Sequence, residues 1–449
     1  MRKLNIAVLA MTLMLSSCST SAEAAKEPLS ESTATAISST EVPGIQIQPA
    51  EAELSRDEKW IEDIFQMKEF YVTRHPEPFH YTSEAAFNAK IDELIENVPK
   101  LSDFTILCSV NLIVNSMRDA HSNISLEGIN RGFFEGIEQQ RYFPFGVVKV
   151  KDKYYVNCIT QGYRHLWGEI LGRQITAING RDIEEIDEAL YEFLPSDFGN
   201  RRTMNPYITS SFTPSLLEFL GFPISNIVWV TFCQASGETF TVEFENESYP
   251  LYEIVQPVMI PFSEGEEKFG FTVDDEHELF KIDYNTCYHP EDFANFLDDA
   301  FEVINSAGYH KLVIDLRRNT GGESMHVDNI LKHVRKWFKS DRNNQLYLLI
   351  SDMTFSAGVY AAYQLDRVSG NSTLVGGVTG GAINPFSVRA DMESMELKER
   401  LHHSGIVCAV SDESTGLLNY ALLPDVYAEN SMEDYINGLD AAMEWIYQQ

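Results

Sequence analysis

From about residue 270 onward the chain alternates short, uninterrupted apolar runs with amphipathic stretches, and few architectures accommodate that pattern. LFKIDY (279–284), KLVIDL (311–316), LYLLIS (346–351) and TLVGG (373–377) read as strands. Between them, 291–307, 324–338 and a stretch from about 356 to 366 carry helical spacing. A strand apolar along its whole length has both faces covered, whereas one wet face produces strict alternation. The pattern therefore predicts an α/β domain with a mostly parallel sheet between helices.

One junction in that domain can carry chemistry. The strand LYLLIS runs into SDMTFSAG, and AGVYAAYQL then takes helical spacing, which puts Ser356 at the start of a helix. Unpaired N–H groups and the helix dipole favour a developing oxyanion there. Thr354-Phe355-Ser356-Ala357-Gly358 approximates a nucleophile elbow without its first glycine. A serine in this place also serves as an ordinary N-cap. The strand KLVIDL leads into Arg317, Arg318, Asn319 and then Gly321-Gly322, a loop at the C-terminal edge of the sheet where open α/β folds bind ligands. Two glycines can turn backbone N–H groups toward a substrate carbonyl, or can simply make a tight turn.

The rest of the chain reads as four further segments. Residues 1–18 have a basic start at Arg2 and Lys3, an apolar stretch from Ile6 to Leu15 too short to cross a bilayer, and then Leu15-Ser16-Ser17-Cys18. This matches a lipoprotein signal peptide with Cys18 as the lipidation site, so an extracytoplasmic, lipid-anchored location is expected. Residues 19–54, rich in Ser, Thr, Ala and Glu, form a flexible tether. Residues 55–138 carry helical spacing at Trp60, Ile61, Ile64 and Phe65, at Ala86, Phe87, Ile91 and Leu94, and from Ile106 to Met117, with Asp119-Ala120-His121 after the last. Residues 139–255 turn to strands. There LGRQITAINGRDIEEIDEAL (171–190) resembles the second half of a PDZ domain, with Ile175, Ile178 and Ile183 as its core.

Acidic residues outnumber basic ones 67 to 34, for a formal charge of -33. That charge repels phosphate backbones and anionic lipid surfaces, so nucleic acid is excluded as a partner and the membrane enters only through the anchor. Beyond Cys18, the cysteines at 108, 158, 233, 287 and 408 show neither CxxC spacing nor an even count. Buried thiols are expected, with no disulfide framework and no metal site. Neither GxxxxGK[ST] nor GxGxxG occurs, so no cofactor is expected.

Taken together, LVIDLRRNTGG, TFSAG with its helix, LVGGVTGGAINPF (374–386) and LLPDVYAENSMEDYINGLDAAMEWI (422–446) resemble the C-terminal processing peptidases and the tricorn protease core. RHPEPFHY, MRDAHS and the degenerate PDZ-like insertion are similar to one bacterial branch. The resemblance implies a crotonase/ClpP-like mixed sheet-and-helix core over 256–449, acting as a serine peptidase on peptide or protein substrates. Ser356 would be the nucleophile, and backbone N–H groups of Ala357 and of Gly321 or Gly322 would form the oxyanion hole.

One branch of that family activates its serine with a lysine in the glycine-rich segment after the nucleophile helix. Here that segment is VTGGAINPF and holds none. The other branch uses a histidine in a D-x-H motif, which Asp119-Ala120-His121 matches. The usual glutamate ahead of Pro424-Asp425 is missing, leaving Asp412 or Glu413 as candidates for a third member. That gap keeps open a second reading, a catalytically weak or inactive lipoprotein of the same fold that binds peptides or glycans. An α/β-hydrolase esterase would need a late histidine, and only His402 and His403 follow Ser356. His75 and His80, flanking prolines, read as structural.

Overall fold

Both faces of the apolar strands are indeed buried. A computed structural model describes residues 54–124, 141–246, 254–255, 268–288, 290–324, 327–383, 386–388, 408–409, 411–414 and 420–449. Its central sheet has six strands in the order Val426–Tyr427, Ser372–Gly376, Gln345–Ile350, Lys311–Asp315, Leu279–Tyr284 and Phe269–Asp274. All neighbours pair parallel except the last, an antiparallel edge.

Side-chain alternation sorts the strands onto two layers. Phe280, Ile282, Leu312, Ile314, Leu346 and Leu348 point to one face, under the helices Pro290–Ala307, Val327–Ser340 and Ala357–Ser369. Leu279, Val313, Tyr347, Leu349 and Val375 point to the other, covered by Met443 and Ile446 of the helix Ala441–Tyr447. The expected α/β core with its mixed sheet and helices is what the chain forms.

The N-terminal half builds a second core. Helices Arg56–Arg74, Glu84–Asn97 and Asp103–Asn115 start at Ser55, Ser83 and Ser102, each of which caps its first turn with a side-chain oxygen. Serine is favoured there because it accepts from an N–H group that has no partner inside the helix. A second sheet runs Phe145–Val150, Lys153–Thr160, Gln174–Ile178, Ile227–Cys233 and Thr239–Glu245, all antiparallel. The strand Gln174–Ile178, the Asn179-Gly180 turn and the helix Ile183–Phe193 follow the expected order, with Ile175, Ile178 and Ile183 buried. The three helices and this sheet share one continuous hydrophobic cluster, from Trp60 to Phe244. Packing therefore joins these three helices to the strand-rich segment that follows them.

Among the described residues no helix is long and apolar enough to cross a membrane. Cys108, Cys158 and Cys287 are buried and unpaired, and Cys233 is half-buried and unpaired. Burial pushes the Cys158 and Cys287 thiols up to about 11, which keeps them protonated and inert at neutral pH. The signal segment with Cys18, most of the tether, and His402 and His403 lie outside the described residues.

The end of the central strand is pinned by charge. Arg317 reaches Asp315 through Nε (2.9 Å) and Nη2 (2.6 Å), and Asp440 through Nη1 (2.9 Å) and Nη2 (2.8 Å). Asp440 also caps the final helix by accepting from Met443 N–H. Burial would raise the Asp315 carboxyl, but Arg317 and Lys281 hold it well below the usual range. Removing one partner from a buried pair strands the other charge. Arg317→Met should therefore lower unfolding free energy by about 3–5 kcal/mol. An unchanged denaturation midpoint would show that the pairing contributes nothing.

Candidate active site

The turn after Gln345–Ile350 holds its serine in an unusual conformation. Ser356 sits at φ 51° and ψ -126°, immediately before the helix Ala357–Ser369. Positive φ costs a non-glycine residue roughly 1–3 kcal/mol, and it persists only where the surroundings enforce it. The N-cap role open to this serine is not the one it plays, because its side chain makes no capping hydrogen bond. The hydroxyl meets a histidine ring nitrogen instead.

The surroundings that enforce this conformation come from two loops. Thr354 Oγ1 donates to Leu316 O (2.9 Å), Ser351 Oγ donates to Arg317 O (2.8 Å), and Phe355 N–H donates to Asn319 O (3.0 Å). Buried Asn319 then accepts from Gly321 N–H at Oδ1 (3.0 Å) and donates to Tyr284 O (2.9 Å). From the other side, Gly380 and Gly381 donate to Thr354 O at 3.1 and 3.3 Å.

Gly321, at φ 107°, packs directly on the turn that carries Ser356. A Cβ there would lie 2.7 Å from Ser356 Cβ and 3.1 Å from Ala357 N. The N–H of Gly321 is already given to Asn319, which narrows the expected oxyanion donors to Gly322 and Ala357. Gly322, at φ 134°, pairs by a parallel bridge with Cys287.

His121 arrives from the other half of the chain. Its Nε2 lies 3.0 Å from Ser356 Oγ, across 235 positions of sequence. Its ring stacks on Phe355, with centroids 4.8 Å apart and planes 23° from parallel. The backbone that carries it is held by buried Asp119, whose Oδ1 accepts from His121 N–H at 3.0 Å. Asp119 Oδ2 lies 3.1 Å from His75 Nε2. Since His75 Nδ1 accepts from Glu77 N–H (3.0 Å), the His75 proton is on Nε2 and is donated to Asp119. Thus the structural role expected of His75 takes a specific form, orientation of the D-x-H turn. Just beyond it, Asn123–Ile124 pairs antiparallel with Cys408–Ala409, a direct tie to the C-terminal half.

Electrostatics leave His121 fit to accept a proton. Burial lowers its pKa below the ordinary imidazole value, against the opposing pull of Asp119, so the ring is neutral at pH 7. Burial would raise Asp119, but the hydrogen bond from His75 and the proximity of His121 hold it low and ionised. A strained serine, a neutral imidazole at hydrogen-bond distance and a helix N-terminus behind them can support acyl transfer.

A second carboxylate belongs to the cluster. One oxygen each of Asp119 and Asp197 and a ring nitrogen of His121 lie within 4.8 Å of one another. The spacing of Asp197 carries no motif, and the sequence did not single it out. Asp412 and Glu413 lie on the strand Ser411–Ser414, which pairs with Phe386–Val388, and their side chains are outside the described set.

No family model and no curated protein sequence matches the chain. Solved structures do. Mature CPAF superposes with a TM-score of 0.54 at 10% identity, covering 87% of this chain and 97% of that one. The chain shares the fold of CPAF. A CPAF complex with lactacystin gives a TM-score of 0.53 at 10% identity, over 87% of this chain and 97% of that one. The photosystem II D1 C-terminal processing protease is more distant, at a TM-score of 0.38 and 14% identity, covering 88% of this chain and 97% of that one.

Gly321 offers a test of the nucleophile turn. Gly321→Ala should leave the fold intact yet reduce labelling of Ser356 by a fluorophosphonate by at least an order of magnitude, since the new methyl displaces the serine. A labelling rate equal to wild type would mean that the turn relaxes without moving the hydroxyl.

Proposed function

We propose that the protein is an extracytoplasmic, lipid-anchored serine endopeptidase of the C-terminal processing peptidase and tricorn-core class. The observation that carries this reading is the 3.0 Å approach of His121 Nε2 to Ser356 Oγ. The shared CPAF fold over 87% of the chain supports the class. Ser356 attacks the carbonyl carbon of a peptide bond while His121 takes the hydroxyl proton, and His121 then delivers it to the leaving amine. Ala357 and Gly322 N–H groups hold the oxyanion of the tetrahedral intermediate. The sheet that includes Gln174–Ile178 positions an extended peptide by strand addition.

A protein of this fold that only binds peptides or glycans has no use for a half-buried imidazole against a strained hydroxyl. That contrast favours the enzyme over the binder. Ser356→Ala should abolish fluorophosphonate labelling, and His121→Gln should slow it by about 10³–10⁶-fold, with both variants folded. Equal labelling of Ser356→Ala and wild type would sink the assignment.

The location rests on the LSSC run at 15–18. Lipid at Cys18 places two acyl chains in the membrane, at about 0.8 kcal/mol per buried methylene. Cys18→Ser should move the protein from the membrane fraction to the soluble one and end incorporation of labelled fatty acid. Persistence of both in the variant would rule out this anchor.

A further inference from the structure

The active-site histidine has two ring nitrogens, and only one is accounted for by the serine. A base must receive the hydroxyl proton at Nε2, so a neutral His121 carries its own proton on Nδ1. Nδ1 is buried and has no hydrogen-bond partner among the described residues. A buried N–H group with no acceptor costs about 1–3 kcal/mol, and it leaves the wrong tautomer free to compete.

The structure supplies an acceptor in the same state. Asp197 is buried, and its Oδ1 is likewise without a hydrogen-bond partner among the described residues. Its Oδ2 accepts from Ala382 N–H at 2.7 Å, which fixes the carboxylate plane. An oxygen of this carboxylate lies within 4.8 Å of a His121 ring nitrogen, a span that one water bridges or a small closure removes. Asp119 cannot serve equally well, because its oxygens are engaged by His75 and by the His121 backbone.

The segment around Asp197 is built to hold this position. Asp197 N–H donates to Thr203 Oγ1 (3.1 Å), and Phe198 N–H donates to Arg118 O (2.7 Å). Asn200 Nδ2 donates to Thr379 O and Gly380 O at 2.9 and 3.0 Å, and Thr203 Oγ1 donates to Gly380 O at 2.5 Å. One short segment therefore grips both the D-x-H turn and the glycine loop behind Ser356.

We propose that Asp197 is the positioning carboxylate of the site: it holds His121 with its proton on Nδ1 and stabilises the imidazolium formed when Ser356 attacks. This rests on the serine–histidine reading above. Burial and the charge of Asp119 push the Asp197 carboxyl up to about 7, with the backbone amides of Ala382 and Ala120 opposing. The groups facing it are Asp119, His121 and Tyr207, whose phenol burial and Asp197 push up to about 12, with His75 behind Asp119. Sign follows directly. Above pH 7 Asp197 is ionised and accepts from Nδ1; as pH falls through 7 it takes up a proton and the orienting charge is lost.

The experiment measures the rate of fluorophosphonate labelling of the full chain against pH, and the His121 tautomer by ¹⁵N NMR. The His121 resonance is assigned by its loss in His121→Gln. Wild type should show an acid limb near pH 7 and an Nδ1-protonated ring at pH 8. Asp197→Asn should label about 10²–10⁴-fold more slowly, lose the limb near 7 and shift the ring toward the Nε2-protonated form. Wild-type rate and pH profile in Asp197→Asn, with Ser356→Ala unlabelled, would overturn the positioning role alone. Should that variant fail to fold, an Nε2-protonated ring in the unsubstituted chain at pH 8 overturns it independently. Labelling that is lost on chelation and restored by a divalent cation would make the cluster a metal site and overturn it too. Labelling of Ser356→Ala equal to wild type would remove the peptidase reading itself.

Discussion

The hydrogen bond between His121 and Ser356 joins two side chains whose near neighbours, Met117 and Ala357, belong to different hydrophobic cores. A single such bond contributes about 1 kcal/mol net, too little to dock two domains. Its geometry must therefore be imposed by everything around it. The strand pairing of Asn123–Ile124 with Cys408–Ala409 and the grip of residues 197–203 on the glycine loop do that work. Arg202 Nη1, 2.9 Å from Glu429 Oε1, and Asn205 Nδ2, 3.0 Å from Asp352 Oδ2, extend the same contact line. The site exists only where the two cores meet.

Much of this was legible in sequence because it follows from local periodicity. Apolar strands buried on both faces, the helices between them and the amphipathic helices at the start all depend on neighbours a few positions apart. The turn at Ser356 was legible as a strand-to-helix junction, whereas the role read for it and for the D-x-H turn came from blocks in the right order, through resemblance. What stayed hidden was long-range polar pairing. His75 on Asp119, Asn319 on the carbonyl of Tyr284 and Asp197 beside His121 link residues far apart in sequence, which no spacing encodes. An aspartate in SDFGN reads as a turn residue until the fold shows what it faces.

The glycine loops show the same limit from another direction. Gly321-Gly322 reads from sequence either as oxyanion donors or as a tight turn, and the structure divides the two roles. Gly321 gives its N–H to Asn319 and supplies clearance for the serine, whereas Gly322 is left beside Cys287. Close packing, not donor chemistry, is what makes Gly321 irreplaceable.

The backbone of Ser356 carries a further consequence. Its φ of 51° is comfortable only for glycine, so the most stable residue at that position is one without a hydroxyl. Ser356→Gly would relax the turn and raise the melting temperature while removing the proposed nucleophile. Any search for hardier variants of this chain would drift toward that exchange first, which makes the serine itself the place where thermal robustness and reactivity pull in opposite directions.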